Sequence, residues 1–112
     1  MQLEARKYLY DIQKAAGLLD EFVTGKTFAD YQCDAMLRAA VERKFEIIGE
    51  AMTQLAKVDK AVTAQISDYQ RIISFRNILI HEYADVDDKL VWDVVETNLP
   101  TLVREVDALL DG

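Results

Sequence analysis

The chain has 112 residues, 51% of them apolar, which suits one compact domain, residues 1–112, around a single hydrophobic core. Four glycines and one proline leave few breaks, so a many-turned β architecture is excluded and long helices with short links are expected. A net charge of −7 and a pI near 4.6 argue against the broad basic face of many nucleic-acid binders, leaving room only for a local positive cleft.

The opening Met1-Gln2-Leu3-Glu4-Ala5-Arg6 lacks the basic-then-apolar form of a secretory signal. From Leu3 to about Thr24, apolar Leu9, Ile12, Ala16, Leu19 and Phe22 or Val23 recur at three- and four-residue steps, the stripe of an amphipathic helix. Gly25 is placed to close it in the left-handed conformation. Thr27 then caps a further helical turn, with Asp30 in capping-box position. A lone cysteine, Cys33, cannot form an internal disulfide, so a reducing cytoplasm is the expected setting. One Cys and one His also fall short of a usual zinc site, and no metal or other cofactor is expected.

A second long helix is predicted from Asp34 to about Ala56 through Leu37, Val41, Phe45, Ile48, Met52 and Leu55. Gly49 inside it costs about 1 kcal/mol relative to alanine and suits the close approach of another helix. Glu46 and Glu50, four apart, share a face. That face is either solvated or meets a buried cation. Val58 to Ile66 reads as a short helix or link. Ser67, with Gln70 three on, is expected to cap a helix from Asp68 to about Glu82. After the acidic Ala84-Asp85-Val86-Asp87, Asp87 caps a last helix running from Leu90 to Leu109 or Leu110, which Pro100 should kink. No stretch approaches the roughly 20 apolar residues of a membrane span. The fold expected is all-α, an up-and-down bundle of four main helices with a small fifth.

The chemistry is concentrated in Arg76-Asn77-Ile78-Leu79-Ile80-His81-Glu82-Tyr83. On a helical wheel Gln70, Ser74, Asn77 and His81 form a polar stripe, and Ile72, Phe75 and Leu79 an apolar side. Arg76 falls on the inner face, where its guanidinium must meet a carboxylate or be held ready for an anion. His81 lies about 140° away on an ideal helix, so two copies of this helix side by side would bring the groups into one cleft. Histidine suits proton transfer near neutrality, and arginine suits phosphate oxygens. The plain alternative is a histidine satisfying a helix C-terminus.

Arg76, four residues, His81, one residue, Tyr83 resembles the motif of HepT-like toxins, a branch of the HEPN (higher eukaryotes and prokaryotes nucleotide-binding) domains. The likeness extends to Glu46-Ile47-Ile48-Gly49-Glu50-Ala51, to Val91-Trp92 and to Asn98-Leu99-Pro100. Ser67-Asp68-Tyr69 departs from the Pro-Trp pair that many such proteins carry before the motif helix. The resemblance implies a homodimeric helical bundle acting as a metal-independent ribonuclease toxin. By it, Arg76 would clamp phosphate, His81 act as acid and base, and Asn77 support them, with Glu46 and Glu50 as candidate supporting carboxylates. The implied partner is a minimal nucleotidyltransferase antitoxin that moves AMP from ATP to Tyr83. The alternative is a non-catalytic HEPN module that binds nucleotides or docks such a transferase.

Overall fold

The computed structural model describes all 112 residues. Seven helices follow one another: α1 (Leu3–Val23), α2 (Phe28–Cys33), α3 (Ala35–Val58), α4 (Lys60–Thr63), α5 (Tyr69–His81), α6 (Asp88–Thr97) and α7 (Leu99–Asp111). The bundle is built on α3, which packs against α1 on one side and α5 on the other, while α7 covers α1. The predicted stripes are the buried ones: Leu9, Ile12, Ala16 and Leu19 from α1, and Leu37, Val41, Phe45, Ile48, Met52 and Leu55 from α3. Phe45 and Phe75 meet edge to face with ring centroids 5.1 Å apart, tying α3 to α5 by the arrangement aromatic quadrupoles prefer. Tyr31 of α2 stacks at 5.3 Å on Trp92 of α6. No helix is long and apolar enough to cross a membrane.

The caps explain most boundaries. Thr27 and Asp30 form the reciprocal capping box, and Asp34, Asp59 and Asp87 each accept a backbone N–H at a helix start. Gly25 has φ +77°, a left-handed turn that a side chain would strain. Ser67 does not cap α5. Its backbone N–H and hydroxyl both bond to Glu105 of α7, at 2.9 and 2.8 Å. Asp68 instead starts α5 from a left-handed φ of 56°, with no side-chain cap. Its carboxylate accepts from the buried Asn98 side chain at 3.4 Å. Tertiary bonds thus override the local capping signal at this entry.

The single kinked C-terminal helix becomes two. The chain breaks at Asn98, and Pro100 falls in the first turn of α7, where its missing N–H would have no intrahelical acceptor. At the other end of α5, the helix stops at His81 and Glu82 leaves it at φ −119°, ψ 30°. Tyr83 therefore lies in the turn beyond the helix.

The α3–α5 contact depends on Gly49. A Cβ there would stand 2.2 Å from Arg76 Cβ and 2.6 Å from its Cγ, so only glycine lets the arginine stem lie on the α3 backbone. Gly49→Ala is expected to lower stability by about 1–3 kcal/mol despite alanine's better helix propensity, read as a fall in the thermal midpoint. Glu42 provides a second test. Burial pushes its carboxyl pKa up, helped by Asp88 and Glu46 and opposed by Arg38. A raised carboxylate pKa means that the folded state holds its proton more tightly than the unfolded chain does. Its charged form therefore destabilises the fold above that pKa, and the penalty fades as pH falls towards the ordinary carboxylate range. Glu42→Gln should accordingly raise the melting temperature at pH 7, with the gain disappearing near pH 4.

Candidate active site on helix α5

Arg76 is directed to the inner face of α5 by the helical repeat that buries Ile72, Phe75 and Leu79. Its stem crosses Gly49, and its guanidinium emerges between α3 and α5 beside Glu50. Nη2 stands 2.8 Å from Glu50 Oε2, in a pair whose side chains are 26% and 49% exposed. Nη1 donates to Asn77 Oδ1 at 3.1 Å, while Nε is buried without a partner. Glu50 is held from its far side by Gln54 Nε2, 3.1 Å from Oε1. The result is a chain of contacts, Gln54 to Glu50 to Arg76 to Asn77, that spans α3 and α5.

The misplaced cation of the sequence thus meets a carboxylate, and of the two candidates it is Glu50. Glu46 shares the face but is turned to Arg43, whose Nη1 lies 3.5 Å from Oε1. At this exposure the Arg76–Glu50 pair contributes on the order of 0–1 kcal/mol. A weak pair positions the guanidinium without locking it, so an incoming anion can compete for it.

A cleft of about 280 Å³ opens at this point, with Tyr8 and Asp11 of α1 on one wall, Glu46 and Glu50 of α3 on another, and Arg76 and Ile80 of α5 closing it. His81 and Asn77 are exposed, and neither lines this cleft. Tyr83 is 78% exposed in the turn beyond the helix. The seven-residue spacing from Arg76 to Tyr83 consequently does not put both on one helical face, because the helix ends between them. Within one chain, Arg76 is gathered with Glu50, Asn77 and Gln54, while His81 and Tyr83 remain at the open C-terminal end of α5. Gln54 was accessible to sequence reasoning as the i+4 neighbour of Glu50. Tyr8 carried no such signal, because it reaches the cleft from a distant helix.

Residues 12–109 match the family described as "Ribonuclease HepT-like". The chain is 33% identical over 109 residues to the "Probable ribonuclease HepT" of Thermococcus cleftensis, covering 97% of this chain and 98% of that protein. It is 31% identical to the "Putative RNase MJ1380" of Methanocaldococcus jannaschii, over 93% of this chain and 94% of that one. A third relative, the "Putative RNase TTE0752" of Caldanaerobacter subterraneus subsp. tengcongensis, is 33% identical over 94% of this chain and 93% of its own length. No solved structure matches. With a helical bundle of the expected class and a match along nearly its whole length, the chain belongs to the HepT-like ribonuclease family of the HEPN superfamily.

Proposed function

We propose that the chain is the toxin of a toxin–antitoxin pair, a metal-independent endoribonuclease in which Arg76 and His81 of two copies share a cleft at a homodimer interface. The observation that carries this reading is the poised guanidinium: Arg76 is fixed at its stem by Gly49 and restrained at its head by a half-exposed carboxylate and the exposed Asn77 amide oxygen. Membership of a family named for ribonucleases supplies RNA as the substrate class.

Two copies are needed for a geometric reason. Arg76 and His81 are separated by about 140° around an ideal helix and about 7.5 Å along it. The exposed His81, with Ile80 37% exposed beside it, leaves this end of α5 available to a second α5. Apposed helices would then bring the arginine of each copy towards the histidine of the other.

In that cleft Arg76 displaces its bond to Glu50 in favour of a phosphate oxygen. One His81 takes the proton of a ribose 2′-hydroxyl as that oxygen attacks the adjacent phosphorus. The new P–O2′ bond forms as the P–O5′ bond breaks. The second copy's His81, entering protonated, gives its proton to the departing 5′ oxygen. The products are a 2′,3′-cyclic phosphate and a 5′-hydroxyl, and the atoms balance with no added water. Arg76 offsets the charge that builds on the phosphoryl oxygens, and Asn77, bonded to Nη1, keeps the fork oriented.

Regulation is assigned to Tyr83. Its exposure suits modification by a nucleotidyltransferase antitoxin, whose ATP would give AMP to the phenolic oxygen with release of pyrophosphate. The adduct would add a phosphodiester charge and an adenosine at the mouth of the shared cleft.

Arg76→Lys, which keeps an aliphatic stem over Gly49, and His81→Ala, at an exposed position, are each expected to lower cleavage of single-stranded RNA by roughly 10²-fold or more while the protein remains folded. A folded His81→Ala protein that cuts at the parental rate removes the catalytic assignment. Incubation with the cognate transferase and ATP should raise the mass by whole multiples of AMP, and Tyr83→Phe should show no such rise. A shift that persists in Tyr83→Phe places the modification elsewhere.

A further inference from the structure

We infer that the cleft beside Arg76 is a nucleobase subsite, and that it selects guanine. The inference rests on the ribonuclease reading for its substrate, RNA. At about 280 Å³ the cleft lies just below the ~300–1,000 Å³ range of small-molecule sites. That is the scale of a nucleoside and not of a folded strand. Its walls combine a half-buried aromatic ring, Tyr8, with apolar Ile47, Ala51 and Ile80, and its rim is polar. A flat π-faced ligand with a hydrogen-bonding edge meets both demands, and unstacked RNA bases are held in this way.

Charge decides which part of a nucleotide enters. Three carboxylates, Asp11, Glu46 and Glu50, face two guanidiniums, Arg43 and Arg76. Both guanidiniums already touch a carboxylate, Arg43 touching Glu46 and Arg76 touching Glu50. The cleft therefore accepts hydrogen bonds more readily than it donates them, and it repels a phosphate from its interior. A phosphate belongs at the Arg76 edge, and the base belongs inside.

The acceptor surplus also discriminates among bases. Guanine presents two adjacent donors, N1–H and the 2-amino group, which match the paired oxygens of one carboxylate. Adenine and cytosine each set an acceptor ring nitrogen beside their amino group, and uracil flanks its single N–H with carbonyls, so each would oppose lone pairs to the carboxylate. Asp11 is exposed and also borders two other hollows on the surface of α1, whereas Glu46 is half-buried in the wall, so Glu46 and not Asp11 is placed to read this edge. Glu50 has both oxygens engaged, by Gln54 and by Arg76. Glu46 has only one long contact, 3.5 Å to Arg43. Lys7 Nζ lies over the Tyr8 ring, 5.3 Å from its centroid, which leaves the opposite face of the ring for stacking.

The test measures binding and cleavage separately. Equilibrium dialysis of His81→Ala protein against the four ribonucleoside monophosphates should give about tenfold tighter binding of GMP than of the others, within the discrimination one bidentate pair supports. Glu46→Gln should shrink that preference below about twofold, and Tyr8→Leu, which keeps the apolar packing, should weaken GMP by about tenfold. Parental protein should cut oligouridylate carrying one guanosine at that guanosine faster than the same strand carrying adenosine. Equal binding of all four nucleotides, no binding, or a preference that survives Glu46→Gln overturns the subsite. GMP selectivity in a protein that never cuts RNA keeps the subsite and ends the ribonuclease reading. Cleavage with no base preference in either assay does the reverse. If Tyr8→Leu fails to fold, Glu46→Gln, at the rim of the cleft, carries the test alone.

Discussion

The contact between the bare backbone of Gly49 and the stem of Arg76 organises this molecule. Helix α3 is the element on which α1 and α5 both pack, and at Gly49 it approaches α5 so closely that no side chain fits between them. The closeness has two effects. It brings Phe45 within reach of Phe75, so the apolar seam between the helices is continuous. It also constrains the first two carbons of Arg76, which sets where the guanidinium emerges. An arginine on an open helix face would sample many rotamers, and ordering it on binding would oppose affinity. Here much of that ordering is complete in the folded chain.

The electrostatic setting follows from the same arrangement. A protein with a net charge of −7 repels RNA at long range, and three carboxylates, Asp11, Glu46 and Glu50, line the cleft itself. Arg76 is thus surrounded by carboxylates. The pairing with Glu50 removes the penalty of an unpaired cation next to the core, yet at this exposure it is too weak to make the arginine inert. Long-range attraction is therefore not how this chain would collect a polyanion. Short-range fit has to dominate, which agrees with a small cleft of mixed apolar and acceptor character and not with a broad basic track.

Much of this was legible in the sequence, and for identifiable reasons. The stripes of α1 and α3 repeat over many turns, so the buried set followed from periodicity alone. Thr27 with Asp30 announced a capping box because both partners lie within four residues. The inward direction of Arg76 and the need for a carboxylate followed from the helical repeat and the penalty for a buried charge. What escaped had non-local causes. Ser67 looks like a cap, yet Glu105, thirty-eight residues away, takes both of its donors. Pro100 marked a disturbance, but the identity of the break depends on how α6 and α7 pack separately. The end of α5 at His81 has no glycine to announce it, and the seven-residue spacing of Arg76 and Tyr83 suggests a shared helical face that stops before reaching Tyr83. Tyr8 joins the cleft only through the packing of α1 on α3.

The end of α5 bears on how much chemistry one chain can hold. Imidazole and guanidinium side chains cannot converge on one phosphorus when their helix directions diverge by about 140°, unless the backbone bends between them. No bend occurs there, because α5 is regular from Tyr69 to His81. The stem of Arg76 is further held against Gly49, so its head emerges between α3 and α5 and not towards His81. Under the proposed reading, the rigidity that prepares Arg76 for phosphate is also what keeps a lone chain from completing the site. Activity would then depend on two chains meeting, and a group attached at Tyr83, just past the end of α5, would act at the place where they meet.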